Sequence, residues 1–148
     1  IATYLHCKPA VAINHVNSPR LLLHIAKPLV TFVALEPPQF PLTWADGTYR
    51  VSMRLFGIIP LGKQAIVISH PPADIFTLRD NGRSALIRTW DHMITITTSG
   101  TGTLYRDQVF IEAGLLTPLV WSFALLFYHH RQRRWRQLVS AGFDYGNH

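Results

Sequence analysis

The stretch LTPLVWSFALLFYHHRQRRWRQLVSAG, residues 116–142, constrains the fold more than any other. It has no turn signal after Pro118 and stops at Gly142, as a long C-terminal helix would. Its first three turns are apolar nearly all round, whereas its last three are polar and basic. A helix that is apolar on every side must be covered on every side. A single flat sheet covers only one, so a curved sheet is expected to wrap this helix while short helices and loops cover the rest. A cavity between helix and sheet is the natural by-product.

The remaining sequence supplies that sheet. Residues 2–7 alternate weakly and read as a strand. Lys8-Pro9 opens a short helix through Val16, because proline suits a first helical position. NSPRLLLHIAK (17–27) repeats the signal, with Asn17 or Ser18 as N-cap, Pro19 at the first position and Pro28 as the stop. From Leu29 the period switches to two. LVTFVAL (29–35) is strand-like and PPQFP (37–41) interrupts it. GTYRVSMRLF (47–56) sets Tyr49, Val51, Met53 and Leu55 against Arg50, Ser52 and Arg54, the pattern of a half-buried antiparallel strand. GIIPLG (57–62) links it to KQAIVISH, and Asp80-Asn81-Gly82 reads as a tight turn after IFTLR. A hairpin over residues 88–114 brings the count to seven strands. Internal repeats, low-complexity tracts and Ser/Gly linkers are absent, so one domain, 1–148, is the simplest organisation.

That hairpin carries unusual interior groups. In its first strand Trp90, His92, Ile94 and Ile96 share one side, opposed by Thr89, Asp91, Thr95 and Thr97. In its second, Tyr105, Asp107, Val109 and Ile111 lie together, with Leu104 and Phe110 as apolar exceptions on the outer side. Closing the hairpin on Ser99-Gly100-Thr101-Gly102 places Ile94 opposite Asp107 and His92 opposite Val109. His92 and Asp107 become diagonal neighbours, roughly 7–8 Å apart at Cα and closer at their tips.

Composition narrows the function classes. A chain of 148 residues buries roughly two thirds of its unfolded surface and needs no disulfide or metal staple. Cys7 is its single cysteine, HExxH and CxxC are absent, and neither a metal nor another cofactor is expected. A reducing, cytoplasmic setting fits. The start at Ile1 rather than Met leaves a trimmed N-terminus open, and neither a charged n-region nor a signal-type apolar core stands there. The apolar run LLTPLVWSFALLFY (115–128) is about 14 residues, short of the roughly 20 a spanning helix needs, so an integral membrane protein is not expected. The net charge of +6, from 14 basic and 8 acidic residues, raises nucleic acid or an anionic membrane as partners. The basic residues are mostly scattered, with one dense cluster at 131–136, and nucleic acid is not expected.

Strand, two short helices, a six-strand antiparallel meander and a long C-terminal helix is an order that resembles the START/Bet v 1-like helix-grip (SRPBCC) superfamily over nearly the whole chain. WDHMITI and GTGTLYRDQVFIEAG resemble the penultimate hairpin of its bacterial polyketide cyclase/dehydrase-like and small ligand-binding members. TPLVWSFALLFYHHRQRRWRQL resembles their final helix. The resemblance implies a deep pocket for apolar or amphipathic molecules, in a family that includes carriers, sensors, cyclases and inert binders; fold does not settle function. The GxGGxG loop of plant-allergen relatives is missing, with Trp44-Ala45-Asp46-Gly47 in its place, and so is the Cys/His pattern of the iron–sulfur oxygenases. Both absences argue against those functions.

Each candidate residue has a chemical and a structural reading. Asp107 bonded to His92 can fix the imidazole tautomer and raise its basicity, which suits a general base for enolisation or aldol-type cyclisation. The two equally satisfy one another as buried polar groups must. Tyr49, Trp90 and Tyr105 present polar tips on apolar bodies, as pocket walls and cores both do. Arg88 shares the parity of Trp90 and can meet a ligand acid or Asp107, unless a strand break near Thr89 turns it outward. Met53, Phe123 and Phe127 face the space between sheet and helix. His129-His130 lacks an i+4 partner for a metal. Arg131, Arg133, Arg134, Trp135 and Arg136 suit an anionic membrane surface or a partner, or simply a solvated helix end near its negative dipole.

The expectation is therefore an α+β helix-grip domain that binds or transfers a hydrophobic or amphipathic molecule in an internal cavity. One rival is a cyclase/dehydrase-type enzyme with His92 as base, Asp107 as its orienter and Tyr105 or Arg88 polarising a carbonyl. Another is docking to an anionic membrane or partner through the basic helix end. A homodimer built on exposed parts of the helix, or on Leu104 and Phe110, stays open.

Overall fold

The computed structural model describes residues 1–146. Its chain order is β1 (Ala2–Leu5), α1 (Pro9–Val16), α2 (Pro19–Ala26), β2 (Val30–Glu36), β3 (Gly47–Leu55), β4 (Ile59–Ser69), β5 (Phe76–Ser84), β6 (Thr89–Ser99), β7 (Gly102–Glu112), a 3-10 turn at Gly114–Leu116 and α3 (Thr117–Ser140). The seven strands form one antiparallel sheet in the order β1-β7-β6-β5-β4-β3-β2. This is the expected α+β architecture, a sheet-and-helix grip.

Strands β1 and β2 follow one another in sequence yet occupy opposite edges of the sheet. The two short helices must therefore span its full width, and both pack under α3 and the strands. Proline starts each of them. Of the two possible caps for α2, Ser18 is the one used: its hydroxyl accepts the Arg20 N–H at 3.2 Å.

Two expected turns are not turns. Asp80-Asn81-Gly82 runs inside β5, paired with β6 at Asp80–His92, Asn81–Asp91 and Gly82–Trp90. On the other side, the ladder to β4 is interrupted opposite Ile66 and Val67. There the Asp80 carboxylate accepts the Val67 N–H at 3.0 Å in place of a main-chain bond. Gly82 is needed for close approach, since a Cβ on it would lie 2.8 Å from the Ala65 carbonyl oxygen. Likewise, Ile59 to Gly62 already belongs to β4, where Met53 pairs with Gly62 and Arg54 with Pro60, leaving Leu61 as a bulge. The connection is confined to Phe56–Ile58.

The helix is gripped at the opposite end from the one its hydropathy suggests. Ala124, Phe127, Tyr128, Arg131, Gln132, Trp135, Leu138 and Val139 form the buried stripe, at helical spacing. Along the apolar first half, Leu119, Trp121 and Leu126 are 70%, 53% and 61% exposed. The expectation that this half is covered on every side is thus corrected: the sheet reaches one face, and α1 and α2 lie against the other end. No helix among the described residues is long and apolar enough to cross a membrane.

Candidate functional site

A cavity of about 610 Å³ lies between the concave face of the sheet and α3. Its walls are mainly aliphatic and aromatic, with Val30, Met53, Ile66, Leu78, Ile94 and Phe123 contributing from β2 to β6 and α3. Alternation along each strand aims these side chains inward. Leu61, Leu86, Leu116 and Leu119 belong both to the wall and to the exposed surface, so the cavity opens beside the start of α3.

Met53, Trp90, His92, Tyr105, Phe123 and Phe127 line this space, as their parity suggests. Tyr49 does not. Its hydroxyl donates to the Ala45 carbonyl at 2.8 Å and its ring packs edge-on against Trp44, so it belongs to the core under the β2–β3 connection. Arg88 does not either: it precedes β6, points outward and faces Glu112 across 3.5 Å.

Behind one wall lies a closed polar cluster. His92 Nε2 is 2.6 Å from Asp107 Oδ1, and the Tyr105 hydroxyl donates to the same oxygen at 3.0 Å. Gln132 Nε2 donates to Oδ2 at 2.9 Å. The strand register accounts for this: Ile94 faces Asp107 and His92 faces Val109. Burial pushes the Asp107 carboxyl up, but the hydrogen bonds from His92 and Gln132 and the charge of Arg131 outweigh it and hold the carboxyl below its ordinary range. Burial also lowers the His92 pKa, against the pull of Asp107. A neutral imidazole donating from Nε2 to an ionised carboxylate satisfies both shifts. His92 Nδ1 then has a lone pair with no partner among the described residues.

Several polar residues on the cavity were not singled out as cavity groups by sequence pattern, among them Lys63, Gln64 and Ser84 as well as Tyr128, Asp80 and Arg131. Tyr128 accepts the Trp90 indole N–H at 2.9 Å, and its ring centroid lies 4.7 Å from that of His92. Asp80 retains some accessible surface, but it opens onto the cavity rather than bulk water. Burial therefore pushes its carboxyl up to about 7, against the Val67 hydrogen bond and Arg131. Arg131 is 6% exposed and lies over the Tyr128 and Phe127 rings. Its position was legible at i+4 from Phe127, but the flanking arginines disguised it as surface.

The basic residues of the helix end do not share one face. Trp135 is fully buried and Arg131 points into the cavity. Arg134 donates to the His24 carbonyl at 3.0 Å and Arg136 to the Thr3 hydroxyl at 2.8 Å. Arg133 and Arg136 face outward, and Arg134 does so in part. The helical stripe that buries Trp135 disperses the cluster around the helix.

The chain belongs to DUF8410, a domain family of unknown function, whose model matches residues 13–139. The fold is similar to that of TTHA0849 from Thermus thermophilus, with a TM-score of 0.68, 12% identity and 97% of each chain covered. It is also similar to that of protein CV1439 from Chromobacterium violaceum, with a TM-score of 0.64, 13% identity and 94% of each chain covered. At such identities the likeness concerns the fold alone. Among curated proteins none matches this chain.

Proposed function

We propose that this DUF8410 domain binds or transfers a hydrophobic or amphipathic small molecule, lipid-like or polyketide-like, held between the sheet and α3. The observation that carries this reading is the cavity itself: about 610 Å³, walled mainly by aliphatic and aromatic side chains and open beside the start of α3. That volume is typical of small-molecule sites, as is the small number of convergent polar groups. The resemblance of the hairpin and final helix to the SRPBCC superfamily supports the same role. Mass spectrometry of small molecules extracted from natively purified protein tests it. A stoichiometric apolar or amphipathic compound, lost after a wall substitution that fills the cavity, is the expected result; an empty protein that no lipid, sterol, flavonoid or aromatic polyketide stabilises thermally would remove the reading.

A second reading is favoured by one observation. His92 lines the cavity with Nδ1 unpartnered while Asp107 fixes Nε2, the arrangement of an oriented general base. A cyclase/dehydrase-type reaction would use His92 to take a proton from a bound carbonyl compound, with Asp107 stabilising the imidazolium. The carrier reading is preferred because Asp107 is already saturated by His92, Tyr105 and Gln132, which is what burial alone requires.

A further inference from the structure

Arg131 occupies an inward position on α3 where packing against a sheet ordinarily calls for an apolar side chain. It is almost wholly enclosed, and the guanidinium carbon stands 5.0 Å from the Tyr128 ring centroid and 5.6 Å from that of Phe127. Its Nε is buried without an acceptor. Among the described residues no oxygen accepts a hydrogen bond from any of its N–H groups, and it forms no ion pair.

The neighbouring polar groups explain why. Asp107 is taken up by His92, Tyr105 and Gln132. Tyr128 is engaged with Trp90. Asp80 gives one oxygen to Val67 N–H, and it stands on the cavity wall out of ion-pair reach of Arg131. A buried guanidinium with idle donors is costly, and the space it faces is mainly apolar. What is missing is an acceptor that comes from outside.

Resting on the proposed binding role, we infer that the cavity is built for acidic amphiphiles: an apolar body along the β2–β6 wall and a carboxylate head held in the fork of Arg131. A planar fork of N–H donors matches a carboxylate two-to-two, and such charge-assisted bonds strengthen where water is excluded. Asp107 offsets the charge of Arg131 in the empty protein, so a bound anion is tolerated only if Asp80 does not add another. With its carboxyl pushed up to about 7 by burial, Asp80 is about half protonated at neutrality, and an anion bound nearby favours the protonated form further. An ammonium head is disfavoured by Arg131 itself.

Titration calorimetry with decanoate, decan-1-ol, methyl decanoate and decylammonium, each below its aggregation limit, tests the head group separately from the cavity. Decanoate is expected to bind wild-type protein about ten- to a hundredfold more tightly than the alcohol or the ester, the scale of one charged hydrogen-bonded pair. In Arg131→Met that preference should shrink to within about threefold. The wild-type ranking alone decides the matter if Arg131→Met does not fold. Equal binding of acid, alcohol and ester would overturn the acidic-head inference while leaving the cavity reading intact. Tightest binding of decylammonium, or an undiminished acid preference in Arg131→Met, would overturn it as well. Binding of none of the four would remove both.

Discussion

His92 and Asp107 meet diagonally across β6 and β7, with the imidazole Nε2 2.6 Å from the carboxylate Oδ1. The contact is fully enclosed, and three donors converge on one carboxylate. Asp107→Asn keeps the shape but turns one acceptor into an NH₂ group, so a donor meets a donor. The expected outcome is a loss of about 1–3 kcal/mol of stability, with affinity for an uncharged ligand per folded molecule nearly unchanged. Chemical denaturation and calorimetry on wild type, Asp107→Asn and His92→Gln measure both. Stable variants that bind normally but lose about a hundredfold or more in turnover would instead make the pair catalytic.

Asp80 gives the protein a pH dependence of its own. Its folded pKa is about 7, above the roughly 4 of an aspartate in an unfolded chain. Between those values the folded state holds a proton the unfolded chain has released. Stability therefore falls as pH rises through that window, by at most about 1.4 kcal/mol per pH unit, and levels off above it. Asn at this position stays neutral and can still accept from Val67 N–H. Relative to wild type, Asp80→Asn should gain about 2 kcal/mol between pH 5 and pH 8. A difference that stays flat across that range would show that the carboxyl titrates normally.

Gly82 separates the strand reading of Asp80-Asn81-Gly82 from the turn reading. Its φ is not positive, so the left-handed freedom of glycine is not what the site uses; the requirement is space against Ala65 and Gln64. Gly82→Ala should cost about 1–3 kcal/mol, as overpacking does. Crowding of the Asp80 carboxylate, whose Oδ1 would lie 3.2 Å from the new Cβ, should also weaken ligand binding. A neutral thermal melt for Gly82→Ala would contradict the close packing of β4 on β5.

How legible these features were depended on what the side chains had to compete with. The hairpin register followed from parity and a two-residue turn, and it correctly placed His92 beside Asp107 because a one-residue slip would expose the whole inner face. Asp-Asn-Gly misleads because its usual turn chemistry is local, whereas here a neighbouring strand recruits the Asp80 side chain into the ladder. Tyr49 has the right parity for the cavity, but Trp44 folds over it from a loop that periodicity does not position. In α3 the average polarity of the last turns hid a stripe in which Arg131 and Trp135 face inward while Arg133 faces out. Hydropathy averaged around a helix loses the direction of each residue, which only the 3.6-residue period retains.

Met53 offers a test of whether the cavity is the binding site. It sits near the end of β3, half-buried, on the cavity wall beside Phe32 of β2 and packed against the cluster that holds Phe127 and Tyr128. A thioether is flexible and fills irregular gaps, so it leaves the space adaptable. Met53→Trp would set a rigid indole into that space. Where a side chain grows into an existing void, the extra buried apolar area offsets the strain, so stability should change by no more than about 1.5 kcal/mol. Affinity for a ten-carbon chain should fall by about tenfold or more, because the ligand and the indole would claim the same volume. Calorimetric titration of decanoate and decan-1-ol into Met53→Trp, alongside its thermal melt, distinguishes the cases. A well-folded variant that still binds both chains at wild-type affinity would place the apolar body of the ligand elsewhere on the protein.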